Sequence, residues 1–130
     1  MKKPIKALLK KGHYKVSGSL WIEGNGTRFW GPGPVELLEH IETTGSINQA
    51  AKQMGMSYKK AWEIVNRLNT MTTSPVVITA TGGEKGGGSS ISAEAKEMIA
   101  YHHQLRERFQ AFLEQETKAL GDQQMHATKR

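Results

Sequence analysis

The chain has 130 residues with 18 lysines and arginines against 12 acids, a formal charge of +6, 37% hydrophobic residues and no cysteine. That length suits one domain with an appended element. The absence of cysteine excludes a disulfide framework and thiolate metal sites and points to a reducing cytoplasm. No apolar run approaches the roughly 20 residues of a membrane span, and Ile5, Ala7, Leu8 and Leu9 are too few for the core of a signal peptide.

The charge is unevenly placed. Lys2, Lys3, Lys6, Lys10, Lys11 and Lys15 form a basic arm without an acid, and residues 1–13 are expected to be flexible. Residues 16–45 are acidic, with Glu23, Glu36, Glu39 and Glu42 against Arg28. Residues 46–75 are basic again, with Lys52, Lys59, Lys60 and Arg67 against Glu63. A basic excess suits a polyanionic partner, and ribosomal, membrane-surface and DNA-binding proteins all share it.

From Tyr14, apolar residues alternate with polar ones through Val16, Leu20 and Ile22, which predicts a half-buried strand. Gly24-Asn25-Gly26 reads as its turn, and Thr27 to Trp30 as a short returning strand. Trp21 and Trp30 are expected to pack in this hairpin. Pro34 is suited to open a helix carrying Leu37, Leu38 and Ile41, which Gly45 stops.

Ser46-Ile47-Asn48-Gln49 has the form of a capping box. It starts a short helix whose apolar face is Ile47, Ala50, Ala51 and Met54. After Gly55, Ser57 caps a second helix to about Met71, with Ala61, Ile64, Val65 and Leu68 inward. A short helix and a basic one joined through Gly-Met-Ser, after a third helix, make a helix-turn-helix, although an ordinary helical hairpin shares that pattern.

Val76 to Thr79 and Ser89 to Ile91 read as strands flanking the glycine-rich residues 81–88. A hairpin in this position is the wing of a winged helix. A phosphate-cradling loop would need a Lys-Ser/Thr pair after its glycines, and Lys85 has none. Ser92 then caps a long helix. Its residues Ile91, Ala95, Met98, His102, Leu105, Phe109 and Phe112 fall four then three apart, a heptad-like seam. A helix of roughly 40 Å outruns a small winged domain. Ala95, Met98, His102, Leu105, Phe109 and Phe112 are therefore expected to form a homodimer interface. From Gly121 a polar, frayed tail is expected.

The segments Thr44-Gly45-Ser46-Ile47-Asn48-Gln49-Ala50-Ala51-Lys52 and Gly55-Met56-Ser57-Tyr58-Lys59-Lys60-Ala61-Trp62 resemble the DNA-binding domain of the ModE family of molybdate-responsive regulators. The first segment is shared broadly with LysR-type regulators, and the second is more particular to the ModE group. The glycine-rich wing followed by Ser92 is also similar, with serine where the family commonly has threonine. The resemblance covers about Lys15 to Leu113. It implies an α+β fold, a winged helix-turn-helix with an N-terminal β-hairpin and a long C-terminal dimerisation helix.

The expected division is an arm over 1–13, a DNA-binding domain over 14–91, a dimerisation helix over 92–120 and a tail over 121–130. Full-length members continue into molybdate-binding domains, whereas this sequence stops at Arg130. Direct molybdate sensing is therefore not carried over.

The family motif and the geometry of winged helices together assign Tyr58, Lys59 and Trp62 to the major groove, led by Ser57. Lys60 and Arg67 are expected on phosphates, as are Ser46 and Gln49 at a helix N-terminus. Lys85 at the wing tip is expected on a neighbouring phosphate or in the minor groove. Trp62 has core packing as its competing role. No set of residues supports catalysis, and neither a metal nor a cofactor is expected. The alternatives to a sequence-specific regulator are a non-specific nucleoid-type binder and a winged-helix protein-interaction module.

Overall fold

A computed structural model describes residues 3–80 and 88–129, with side chains described as far as residue 120. The elements run α1 (Ile5–Leu8), β1 (Ile22–Gly24), β2 (Thr27–Trp30), α2 (Pro32–Thr44), α3 (Ile47–Gln53), α4 (Tyr58–Met71), β3 (Val77–Thr79), β4 (Ser89–Ile91) and α5 (Ala93–Lys129). Helices with two small antiparallel hairpins and a long last helix make this the α+β winged-helix fold. The chain forms two units: Ser19–His103, and Met1–Gly18 with Gln104–Arg130.

In the larger unit, β1 and β2 pair through Ile22 with Trp30, Glu23 with Arg28 and Gly24 with Thr27, with an irregularity between Ile22 and Glu23. Asn25 (φ 53°) and Gly26 (φ 79°) turn the chain, and two successive positive φ values give the twist that a two-residue hairpin requires. The strand anticipated from Tyr14 is much shorter. Alternation supplies a buried face, but a strand also needs a hydrogen-bonding partner, and only Thr27–Trp30 returns before the prolines. Upstream, the Val16 N–H donates instead to Thr117 Oγ1 (2.8 Å).

The helix expected from Pro34 opens two residues earlier. Gly31 is the N-cap and Pro32 lies in the first turn, with the Val35 N–H donating to Gly31 O (3.0 Å). Pro34 still fits, because the first-turn N–H groups have no intrahelical acceptor. Gly45 ends the helix at φ 72°, where its N–H donates to Ile41 O (2.7 Å).

The core of this unit lies where α2, α3 and α4 meet the hairpins and the start of α5. Trp30, Leu37, Leu38, Ile41, Val65, Leu68 and Val76 are fully buried, and Ala50, Ala51, Ala61 and Ala95 bring the helix backbones close. Ser92 caps α5 as anticipated, its Oγ accepting from the Ala95 N–H (3.1 Å).

The other unit holds α1, the chain to Gly18 and the distal part of α5. Leu113 is buried there, the rings of Phe109 and Phe112 stack at 6.4 Å, and Phe112 is 54% exposed. The helix continues past Gly121, where a frayed tail is expected. One glycine costs a helix about 1 kcal/mol against alanine, which weakens the helix without stopping it. Among the described residues no helix is long and apolar enough to cross a membrane.

Gly31 is a packing constraint. A β-carbon there would overlap the Trp21 ring, which also lies under the Arg28 guanidinium at 5.7 Å. Gly31→Ala should therefore destabilise the domain by about 1–3 kcal/mol. Thermal or denaturant unfolding checks this, and an unchanged midpoint would mean that the hairpin gives way freely.

Candidate nucleic-acid interface

Helices α3 and α4 carry the residues that the sequence singled out. Ser46 has extended backbone (φ −152°, ψ 125°) and its Oγ accepts from the Gln49 N–H (3.0 Å). The reciprocal half of the anticipated box is replaced: the Ser46 N–H donates to Thr44 Oγ1 (3.2 Å). Thr44 is itself held by donating to His40 O (2.7 Å), so the last turn of α2 fixes the first turn of α3. At the far end of α3 the chain passes Gly55 at φ 69°, and the Met56 N–H donates to Ala51 O (3.0 Å). This bond satisfies a helix-terminal carbonyl and aims the chain into α4.

Ser57 repeats the serine cap, with its Oγ accepting from the Lys60 N–H (3.0 Å). One face of α4 is closed by Ala61, Val65 and Leu68. The other face presents Tyr58, Lys59, Lys60, Glu63 and Arg67 to solvent, with Tyr58 49% exposed. Trp62 is half-buried and packs against the core. Its indole N–H donates to the Tyr58 hydroxyl, and the two rings meet edge to face at 6.3 Å. Trp62 therefore takes the packing role with part of its ring, and its N–H holds Tyr58. Among the described residues Lys59, Lys60 and Arg67 form no ion pair. Their charge is therefore undiverted, whereas the acids of α2 pair elsewhere, Glu42 with Lys96 and Glu39 with His103.

Ser46, Gln49, Ser57, Tyr58, Lys59, Lys60, Trp62 and Arg67 all belong to these two helices. Lys85 and the wing residues 81–87 lie outside the described residues. The expected interface residues divide. Ala95 and His102 are buried in the larger unit at 0% and 3% exposure, His102 edge to face with Trp30 (6.2 Å), and Met98 packs against the same core. Leu105 and Phe109 are half-buried in the other unit and Phe112 is exposed. The same four-then-three spacing serves packing within a domain as well as between helices, so spacing alone could not separate them.

Two positioning residues carry no sequence signal of this kind. Asn69 Oδ1 accepts from the Val76 N–H (2.8 Å) and from the Val77 N–H (3.3 Å), tying α4 to β3. The Ser89 N–H donates to Gly45 O (2.8 Å), tying β4 to the corner between α2 and α3. Asn69 is a single polar residue in a helix, and the contact of Ser89 with Gly45 spans a long sequence separation. Neither leaves a local pattern.

No family model matches the chain. The molybdenum transport protein ModE of Azotobacter vinelandii is 34% identical over 88 residues, 68% of this chain and 33% of that protein. The DNA-binding transcriptional dual regulator ModE of Escherichia coli (strain K12) is 41% identical over 71 residues, 55% of this chain and 27% of that protein. The molybdenum-pterin-binding protein MopB of Rhodobacter capsulatus is 42% identical over 79 residues, 61% of this chain and 29% of that protein. The chain thus spans about a third or less of the length of these relatives.

The cap of α4 is testable independently of any ligand. Ser57→Ala removes the acceptor for the Lys60 N–H and should lower unfolding free energy by about 1 kcal/mol. Urea denaturation measures it; Ser57→Asp, which restores an acceptor, should recover most of the loss.

Proposed function

Given that the chain carries a ModE-like domain, we propose that it is a sequence-specific DNA-binding transcriptional regulator that acts as a homodimer on a roughly palindromic operator. The observation that carries this reading is the N-terminal face of α4. Its serine cap fixes the first turn, and Tyr58, Lys59 and Lys60 project from it with their charge unpaired. In a winged helix this end leads into the major groove.

Lys59 donates to guanine O6 and N7, and Tyr58, steadied by Trp62, contacts a thymine methyl. Lys60 and Arg67 hold phosphates, which sets register without reading sequence. Ser46 and Gln49 at the start of α3 donate to a further phosphate, and Lys85 on the wing reaches the adjacent backbone or minor groove. The chain acts by binding and not by catalysis. Relatives named as a molybdenum transport protein and a molybdenum-pterin-binding protein support the reading that its target genes concern molybdenum.

Two copies would join through the distal part of α5, with Leu105, Phe109 and Phe112 as the shared seam. Ala95, Met98 and His102 then serve the domain that the seam supports. Half-sites related by the two-fold axis would be separated by one or two turns of duplex.

Lys59→Ala should weaken binding to a cognate operator, recovered by genome-wide capture of bound fragments, by about 1–3 kcal/mol and relax preference at one base pair. Competition against random DNA at roughly 150 mM salt is the measurement, because purely electrostatic binding falls steeply with salt. An equal loss on random DNA would instead favour a non-specific binder. No affinity even at low salt would favour a protein-interaction module.

Leu105→Asp places a charge in the proposed seam and should yield monomers by light scattering. A variant that stays dimeric refutes that interface.

A further inference from the structure

Tyr58 and Trp62 are a coupled pair at the N-terminal end of α4. They lie four residues apart and so stand one turn from each other on the same side of the helix. Trp62 is half-buried against the core, which fixes its ring, whereas Tyr58 is 49% exposed. The Trp62 indole N–H donates to the Tyr58 hydroxyl, and the rings meet edge to face at 6.3 Å.

An indole nitrogen can only donate, while a phenol can both donate and accept. The pair therefore has one polarity: the Tyr58 oxygen is taken up as the acceptor, and its O–H is left to donate. Among the described residues nothing accepts from that O–H. Tyr58 thus presents an outward hydrogen-bond donor of set direction beside an apolar ring.

In the major groove thymine shows a methyl group next to the O4 acceptor, whereas cytosine shows an N4 amine in the place of O4. A methyl contact alone would accept 5-methylcytosine as readily as thymine. A hydroxyl restricted to donating separates the two, because the amine offers it no acceptor. We propose that Trp62 is a positioning residue that makes Tyr58 specific for thymine: the Tyr58 ring lies on the C5 methyl, and its O–H donates to O4. This rests on the placing of α4 in the major groove proposed above, and adds which base edge Tyr58 reads and why.

The test uses the intact chain and its recovered operator duplex at roughly 150 mM salt. Each thymine is replaced in turn by deoxyuridine, which lacks the methyl, or by 5-methylcytosine paired with guanine, which keeps the methyl and exchanges O4 for an amine. At one position deoxyuridine should weaken binding about four-fold, as for a lost methyl contact, and 5-methylcytosine should weaken it further. Tyr58→Phe should lower the preference for thymine over 5-methylcytosine there by about three- to ten-fold and leave that over deoxyuridine in place. Trp62→Phe frees the Tyr58 oxygen to accept from the amine and should lower the same preference by a similar factor. A benzothiophene in place of the Trp62 indole keeps its shape without the N–H and should act likewise, even if Trp62→Phe unfolds the domain. The change of paired purine is common to all the proteins and cancels in the comparison.

A Trp62 variant that weakens every duplex in equal proportion overturns the positioning role. An unchanged preference for thymine over 5-methylcytosine in Tyr58→Phe overturns the contact with O4. In both cases an operator still preferred over random DNA leaves the reading of α4 standing, whereas loss of that preference in the unsubstituted chain overturns both.

Discussion

Gly45 stands at the junction on which the winged domain depends. At φ 72° its N–H closes α2 onto Ile41 O, and its own carbonyl accepts from the Ser89 N–H at the start of β4. A side chain at that φ is strained, and its cost would fall on three elements together. Immediately after it, Ser46 starts α3, with its N–H taken by Thr44. Gly88 is part of the same junction, because a β-carbon there would lie 3.1 Å from Gly45 O. One backbone corner therefore sets where α2 stops, where α3 starts and where the second wing strand lies.

Asn69 performs the matching task for the first wing strand. Its amide oxygen accepts from the Val76 and Val77 N–H groups, and its Nδ2 donates to Val77 O (3.3 Å). The two strands are thus referenced to the two sides of the helix-turn-helix, β3 to α4 and β4 to the corner ahead of α3. The wing base is held by main-chain and amide hydrogen bonds and not only by apolar packing. Such bonds fix direction as well as distance.

The charge distribution follows the same division of labour. On α2, Glu36, Glu39 and Glu42 are met by His40, His103 and Lys96. These pairs are largely exposed and each is worth about 0–1 kcal/mol at most, so they add little to stability. Their consequence is segregation: these acids have their partners on α2 and α5, while α4 presents Lys59, Lys60 and Arg67 against the single acid Glu63 and, among the described residues, forms no ion pair. The net +6 is therefore not a diffuse coat on the described domain.

The sequence by itself determined the features that rest on local hydrogen bonding and short-range sterics. Ser46 and Ser57 were legible as caps, Asn25-Gly26 as a turn and Gly45 and Gly55 as helix stops. In each case the group that needs satisfying lies within a few residues of the group that satisfies it. The inward stripe of α4 was legible for the same reason, because its period is that of the helix itself.

Only the tertiary structure decided the rest. Residues upstream of Ile22 alternate like a strand yet pair with no strand among the described residues. Pro32 rather than Pro34 opens α2, since either ring satisfies the first turn. Ala95 and His102 share one heptad spacing with Leu105 and Phe109, but the former pair is buried in the winged domain and the latter lies in the other unit. Spacing along a chain records which residues share a face. What covers that face depends on contacts between residues far apart in sequence, and no local pattern encodes those.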